Sequence, residues 1–516
     1  MPQSQNGDKI LFIYPALFRI TGLPIGIASL SAVLKENGYQ VKVFDTAFYD
    51  FSGKQDWDKI RADRLMSKRI IDEGQHWRVK NTDAKEDLIA LIAEFKPKII
   101  VISISEPNCE LGLMLARLIK ASYRDIIIVA GGVFPTLSPD IIIEEKCIDI
   151  ICLGEGETAF LELCDRVSRG REYHNIEGLW VKQKGVVYKN KPGKLHDIND
   201  LPHPDFSVFE EAMFYKPMQG KLYKMVNIET SRGCPYHCTY CSAIKLKKFF
   251  LAQGGGNYYR TMNMDRIIEQ IHYQIKKHSP EFIYFSSETF LAMGKKDFDM
   301  FIEEYKKIKM PFWFQTRFET ITEERIEALK EVGMFWMTLG VEHGNEEFRK
   351  NVLKRTYSDD SIIRGISILD KCRVGASLNN MMGLPLENRE LIFETIELNK
   401  KLFEINNRLE FNIFMFVPFR GCELYDLCKQ KGLLPDQVYT TGNDLSDESV
   451  LNFSAEYKEE LKGLMRTFNL YVELPREYYP QIRIAERFDE KGDGMFKSLT
   501  QLLEERRGLD KKRHTC

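Results

Sequence analysis

Cys234, Cys238 and Cys241 crowd into the stretch ETSRGCPYHCTYCSA, residues 229–243, as C-x3-C-x2-C. A loop that tight lets three sulfurs converge on one centre, and soft thiolates select zinc or an iron–sulfur cluster. Structural zinc closes its tetrahedron with a fourth Cys or His. His237, between Cys234 and Cys238, makes a Cys3His zinc site the competing reading. A disulfide scheme leaves one of the three cysteines over, and the start MPQSQNGDKI is polar and short, with no signal peptide. Reduced thiols in a cytoplasmic protein are therefore expected.

The elements that position this loop fall into two series. From residue 9, short β-branched runs at 10–14, 41–45, 99–105, 125–132 and 148–156 alternate with helical patterns at 25–38, 85–95, 110–123 and 157–167. Such alternation predicts a doubly wound parallel sheet with ligands at the carboxyl ends of its strands. The strand ends are small and polar: Ser103 and Ser105 end the third, Gly131 and Gly132 the fourth, and Gly154-Glu155-Gly156-Glu157 the fifth. Backbone can approach a ligand closely there, although glycines at strand–helix turns also occur with no ligand. No G-x-x-x-x-G-K-[ST] loop is present and no G-x-G-x-x-G follows a strand, which argues against a nucleotide. A hairpin with a Lys-Gly turn is expected over 178–192, and the Asp- and Pro-rich 197–209 should wrap between domains.

A second β/α series begins at 225, with strand candidates at 225–230, 282–287, 312–317, 336–342, 376–382 and 410–417 and helices such as 264–278 and 361–372. Six units in this span suit a parallel barrel with its chemistry at the carboxyl ends, where the cysteine loop follows the first strand. Beyond about 430 the pattern is helical and charged, an appendage expected to close the barrel mouth. At 516 residues, 44% hydrophobic and 29% charged, the chain predicts a globular protein of two or three domains. A net charge of -2 and a pI near 6.6 give no electrostatic case for nucleic acid, and KLKK at 245–248 reads as a solvated face. No apolar run approaches the ~20 residues of a membrane span.

The cysteine pattern, with the aromatic Tyr240 before its last cysteine, resembles the signature of the radical S-adenosylmethionine (SAM) superfamily. The resemblance implies that the three cysteines hold three irons of a [4Fe–4S] cluster while the amino and carboxylate groups of SAM chelate the fourth. Ser286-Ser287-Glu288 stands where the family has a GGE-like segment. GVEHGNE (340–346) resembles its GVESG, with His343 where serine is frequent. MMGLPLE (381–387) resembles GLPGE, and VPFRG (417–421) resembles P-x-PGT. The implied SAM-binding set is Tyr240, Ser286, Ser287, Glu288, Arg317, Glu342, Gly383 and Val417. Glu342 would face ribose hydroxyls or cap a helix, His343 would touch SAM or substrate or be only a satisfied active-site histidine, and Arg317 and Arg355 would pair with surface acids or the SAM carboxylate. Met381 and Met382 read as core, and Cys147, Cys152 and Cys164 as inert buried thiols, while Cys422 and Cys428 stand too far from other cysteines for a second cluster.

In the amino-terminal half, Pro24, Gly26, Ser103, Ser105, Gly131, Gly132, Gly154, Glu155 and Gly156 resemble the cobalamin-binding domain fused to many radical SAM enzymes. D-x-H-x-x-G is absent, which implies either cobalt with no histidine beneath it, as in the radical SAM branch, or a domain that has lost cobalamin. The expected organisation is α/β: a Rossmann-like cobalamin-binding domain at 1–195, a linker at 196–224, a partial (β/α)6 radical SAM barrel at 225–430 and a helical region at 431–516. The resemblance implies methylation of an unactivated carbon of a small-molecule or lipid-like substrate through a 5′-deoxyadenosyl radical and methylcobalamin, with flavodoxin or ferredoxin as electron donor. No catalytic acid or base is singled out. A radical cyclase resembling the anaerobic magnesium-protoporphyrin cyclase shares the same architecture. A methylthiotransferase would carry three more amino-terminal cysteines, and a non-catalytic metal-binding module would need no SAM site.

Overall fold

The computed structural model describes residues 7–19, 22–51, 56–252, 254, 256–436, 446 and 448–514, with side chains as far as residue 508. Its amino-terminal sheet is built from β1 (Lys9–Tyr14), β2 (Gln40–Asp45), β3 (Ile99–Ser103), β4 (Ile127–Gly131) and β5 (Ile150–Cys152), all parallel, in the order β2-β1-β3-β4-β5. In β1, Ile10 and Phe12 pack on one face and Leu11 and Ile13 on the other. Both faces are covered by helices, and this is why the strands read as continuous apolar runs. The order reverses between β1 and β3, and the crevice of a doubly wound sheet opens at that point. The expected hairpin forms: β6 (Leu179–Gln183) and β7 (Val186–Lys189) extend the sheet antiparallel, with Gly185 at φ +78° in the turn.

The second sheet starts earlier than the sequence pattern suggested. β8 (Tyr215–Met218), inside the stretch expected to be linker, pairs antiparallel with β9 (Lys221–Glu229). Pro217 hides this strand from propensity reasoning, yet an edge strand tolerates a proline. A short pair, β10 (Ser231–Arg232) and β11 (Arg260–Thr261), frames the cysteine loop. The sheet proper continues through β12 (Phe282–Ser286), β13 (Phe312–Thr316), β14 (Met334–Glu342), β15 (Ala376–Met382) and β16 (Glu410–Met415), parallel and in sequence order from β9. β16 does not return to β9, so the six parallel strands curl into a half-barrel. Phe285, Phe290, Phe301, Tyr305, Phe312 and Phe314 form an aromatic core between β12, β13 and the helix Lys295–Ile308.

Polar contacts on two sides of the molecule join the halves. Asp205, in the Pro-rich connection, accepts from Lys35 Nζ at 2.6 Å on one side and from Lys277 Nζ at 2.7 Å on the other. The helices Ala455–Glu473 and Glu490–His514 reach back to the amino-terminal domain, where Asn469 Nδ2 donates to Arg64 O at 3.0 Å and Arg507 Nη2 to Leu65 O at 3.1 Å. They enclose a cavity of about 370 Å3 against Trp336, Gly375 and Glu410, at the amino ends of the strands. The appendage therefore closes the end of the barrel opposite the cysteine loop with these helices, while its Leu433, Leu434 and Leu451 pack in one cluster with Tyr240 and Leu384 on the mouth side. Its apolar face fits the outside of β16 and the helix Arg389–Ile405, a match that only the packed strands define. Among the described residues, no helix is long and apolar enough to cross a membrane.

Candidate active site

The carboxyl ends of the two sheets face each other across a cavity of about 500 Å3. Eight residues of the expected cobalamin set line it: Pro24, Gly26, Ser103, Gly131, Gly132, Gly154, Glu155 and Gly156. Ser286, Ser287 and Glu288 line it from the barrel, joined by Gln315, Arg232 and Tyr258, which sequence reasoning missed. Ser105 is not part of the wall. It lies past the end of β3, exposed, with its N–H donating to Asn108 Oδ1 at 2.7 Å.

The glycine wall is shaped by backbone. Gly132 has φ +109°, and a Cβ there would stand 2.5 Å from Ile104 O. Gly154 has φ +70°, with the Phe250 ring packed against its bare Cα. Thr136 ties the two loops together, donating from Oγ1 to Gly132 O at 2.8 Å and accepting from Gly154 N–H at 2.8 Å. Phe250 belongs to the helix Ser242–Ala252 that leaves the cysteine loop, and it stacks on Tyr258 with ring centroids 5.3 Å apart. One helix thus joins the thiol loop to the glycine wall.

Cys234, Cys238 and Cys241 are free thiols on the loop after β9. Burial raises the Cys234 thiol and pushes Cys241 up to about 12; such thiols stay ionised only against a strong positive charge, which iron supplies. His237 is exposed, and among the described residues no three His, Cys, Asp or Glu side chains converge on a single metal ion. That removes support from the Cys3His zinc reading, whereas a cubane spreads its sulfurs around a larger body. Arg317, expected to meet a surface acid or SAM, donates from Nη1 to Cys238 Sγ at 3.2 Å. Glu319 holds its other arm at 2.6 Å, and Tyr236 lies under the guanidinium at 3.8 Å.

Glu342 and Tyr240 do not line the cavity. The buried Arg355 ion-pairs with Glu342 and donates from Nε to Tyr240 Oη at 2.8 Å, so one guanidinium links the ends of β14 and the cysteine loop. Arg355 Nη1 is buried with no partner among the described residues. Gly383 uses its N–H on Glu387 Oε2 at 2.6 Å, and Val417 is buried in the core. His343 is fully buried, stacked on Phe348, with Nε2 3.2 Å from Glu387 Oε1; it is a core histidine tying β14 to β15. Cys147, Cys152 and Cys164 are buried, and burial raises each thiol. Cys422 is brought near enough to Cys241 for their charges to interact, a proximity invisible at their sequence separation.

A charge cluster crosses the domain boundary beside the cavity. Arg232, two residues before Cys234, meets Glu157 at 2.8 Å, Glu229 at 3.1 Å and Glu155 at 3.5 Å, and Arg260 also pairs with Glu155. The Glu155 carboxylate, expected to face a cofactor, is thus engaged by the barrel. Glu288 has no such partner. It lines the cavity with its side chain still open to solvent, and the protein of the two facing domains around it raises its carboxyl above the ordinary range.

Residues 228–398 match the radical SAM superfamily and residues 67–164 match the B12 binding domain. The chain is a cobalamin-dependent radical SAM enzyme. It is 24% identical over 509 residues to an uncharacterized methyltransferase of Pyrococcus horikoshii, covering 96% of this chain and 98% of that protein. It is 25% identical to the anaerobic magnesium-protoporphyrin IX monomethyl ester cyclase of Rubrivivax gelatinosus, over 76% of this chain and 65% of the relative. Among solved structures, the cobalamin-dependent SAM radical enzyme OxsB, with aqua-cobalamin and SAM bound, superposes with a TM-score of 0.64 at 16% identity, over 96% of this chain and 71% of that one. The methyltransferase TsrM of Kitasatospora setae gives 0.59 at 15% identity, over 88% and 82%. These two likenesses establish the fold.

The residues present fit the groups this family uses. Three free thiols leave one iron of a [4Fe–4S] cluster open, and Glu288 offers a carboxylate in the cavity. Gly132 and Gly154 line the cavity with backbone held at positive φ against Ile104 and Phe250, so that the wall there is main chain, and no histidine is among the described residues that line it.

Proposed function

We propose that the enzyme transfers a methyl group to an unactivated carbon of a small-molecule or lipid-like substrate. The reading rests on one observation: the glycine loops of the B12-binding domain and Ser286-Ser287-Glu288 of the barrel open into a single cavity. Bound together, the cluster with SAM supplies a 5′-deoxyadenosyl radical and cobalamin relays a methyl group. The chain's own part is to hold and orient. Cys234, Cys238 and Cys241 ligate three irons; Glu288 accepts from the SAM amino group, whose positive charge draws the carboxyl back to its ionised form. Gly131, Gly132, Gly154 and Gly156 seat the corrin by backbone approach, and Phe250 with Tyr258 keeps water from its edge. A one-electron donor such as flavodoxin or ferredoxin reduces the cluster, in the reducing cytoplasm that free thiols require. The near full-length match to the Pyrococcus relative, named a methyltransferase, supports the transfer.

The cyclase relative favours a second reading, ring formation without methyl transfer. Incubation with methyl-labelled SAM separates the two: label in the product supports the transferase, and label confined to methionine with a cyclised product supports the alternative.

A further inference from the structure

The inward row of the half-barrel holds a buried cation that the proposed chemistry does not use. Lys216, on β8, is 8% exposed, and its single acceptor among the described residues is Asn227 Oδ1, at 2.6 Å from Nζ. The same Nζ stands 5.1 Å from the ring centroid of Tyr284, which stacks on Trp313 at 4.1 Å with the rings 16° apart. Asn227, Tyr284 and Trp313 are level with one another across β9, β12 and β13. Two residues further along these strands come Glu229, Ser286 and Gln315, which line the interdomain cavity. The Lys216 group therefore lies one layer, about 6–7 Å, below the cavity wall.

Donors outnumber acceptors in this layer. An ammonium offers three N–H groups, and Trp313 Nε1 is a further buried donor with no acceptor. Among the described residues no acid forms an ion pair with Lys216, and burial pulls the amine down to about 7. A buried lysine normally comes with a carboxylate, because the desolvated charge is costly without one. The layer thus has room in its hydrogen bonding for an acceptor-rich anion, and Asn227 Nδ2, donating to Leu23 O at 3.0 Å, closes it against the amino-terminal domain.

We infer that Lys216, backed by Tyr284 and Trp313, receives an oxyanion of the substrate, a carboxylate or a phosphate, at the floor of the barrel lumen. The inference rests on the interdomain cavity being the substrate and cofactor site. It places the reacting carbon above the floor, toward Ser286 and Glu288, with the anionic end pointing down and the Tyr284–Trp313 pair as a flat wall beside it.

The test uses reconstituted holoenzyme titrated calorimetrically with inorganic phosphate and with acetate at constant ionic strength. Wild type should bind at least one of them in the millimolar range. Lys216→Met, checked for cluster absorbance and corrinoid content, should weaken that binding about tenfold or more, as loss of a charge-assisted hydrogen bond predicts. Preference between the two anions identifies the source. Binding of neither by wild type, or equal binding by Lys216→Met, would overturn the inference and leave Lys216 a structural amine held by Tyr284. Should Lys216→Met fail to fold, protection of Lys216 from acylation by phosphate or acetate in wild type, read by mass spectrometry, supports the inference, and unchanged labelling overturns it. Formation of 5′-deoxyadenosine by wild type without substrate reports separately on the radical SAM reading.

Discussion

The two walls of the interdomain cavity contrast in what they present to a ligand. The amino-terminal wall is mostly backbone: Gly131, Gly132, Gly154 and Gly156 with Ser103, while its carboxylates Glu155 and Glu157 are drawn off by Arg232 and Arg260. The barrel wall is side chain: Glu288, Gln315 and, behind them, thiols and guanidiniums in contact. A wall of bare Cα atoms accepts a large flat group by shape. A wall of placed charges addresses a small ligand group by group. On the proposed function this division would let one cavity take two cofactors of very different size, and it predicts that each wall fails separately.

The largest effect is expected on the barrel side. Replacing Cys234, Cys238 or Cys241 by Ala should abolish the iron–sulfur absorbance and all SAM cleavage, while corrinoid retention survives. A variant lacking all three that still forms 5′-deoxyadenosine would sink the cluster assignment. On the opposite wall, Gly132→Val forces a β-branched residue into φ +109° with Cβ 2.5 Å from Ile104 O, a strain of about 3 kcal/mol. It should cost corrinoid binding and leave the cluster absorbance intact; parallel loss of both would erase the contrast between walls. Because no histidine lines the cavity, paramagnetic resonance of the cob(II)alamin form should lack the nitrogen splitting of an axial imidazole.

Glu288→Gln should weaken SAM binding by about 1.5–3 kcal/mol, the contribution of one charge-assisted hydrogen bond. Unchanged affinity would show that the carboxylate serves something else in the cavity. The smallest effect concerns the peg that holds the walls together. Burial of Asp205 opposes its ionisation, but hydrogen bonds from Lys277, Lys35 and Ser207 outweigh it and hold the carboxyl below its usual range. Its contribution is therefore present above the unfolded value near pH ~4 and is lost as pH falls through the lower folded value. Asp205→Asn should lower stability at neutral pH by about 1–2 kcal/mol, screened by the partly exposed lysines, and should flatten the acid limb of a denaturation profile.

What could be read without a structure was local. The C-x3-C-x2-C loop, the Gly-rich strand ends and the two β/α series follow from periodicity of two and of 3.6 residues and from spacing within one segment. They placed the thiol loop at a strand's carboxyl end, and eight of the nine residues expected for the amino-terminal wall line the cavity. Ser105 escaped because β3 ends two residues earlier than its apolar run suggested. Tertiary structure alone decided the pairings across long separations. Arg317 reaches Cys238, Arg355 takes up Glu342, Arg232 bridges Glu155 and Glu157, and His343 disappears into the core. Lys216 joined a layer with Asn227 and Tyr284 only because a proline-containing edge strand completed the sheet. Sequence specifies which groups a segment carries and which way its elements run. Which charges neutralise each other, and which are left facing a cavity, depends on distances of a few ångströms between segments tens to hundreds of residues apart, and those distances exist only once the chain has packed.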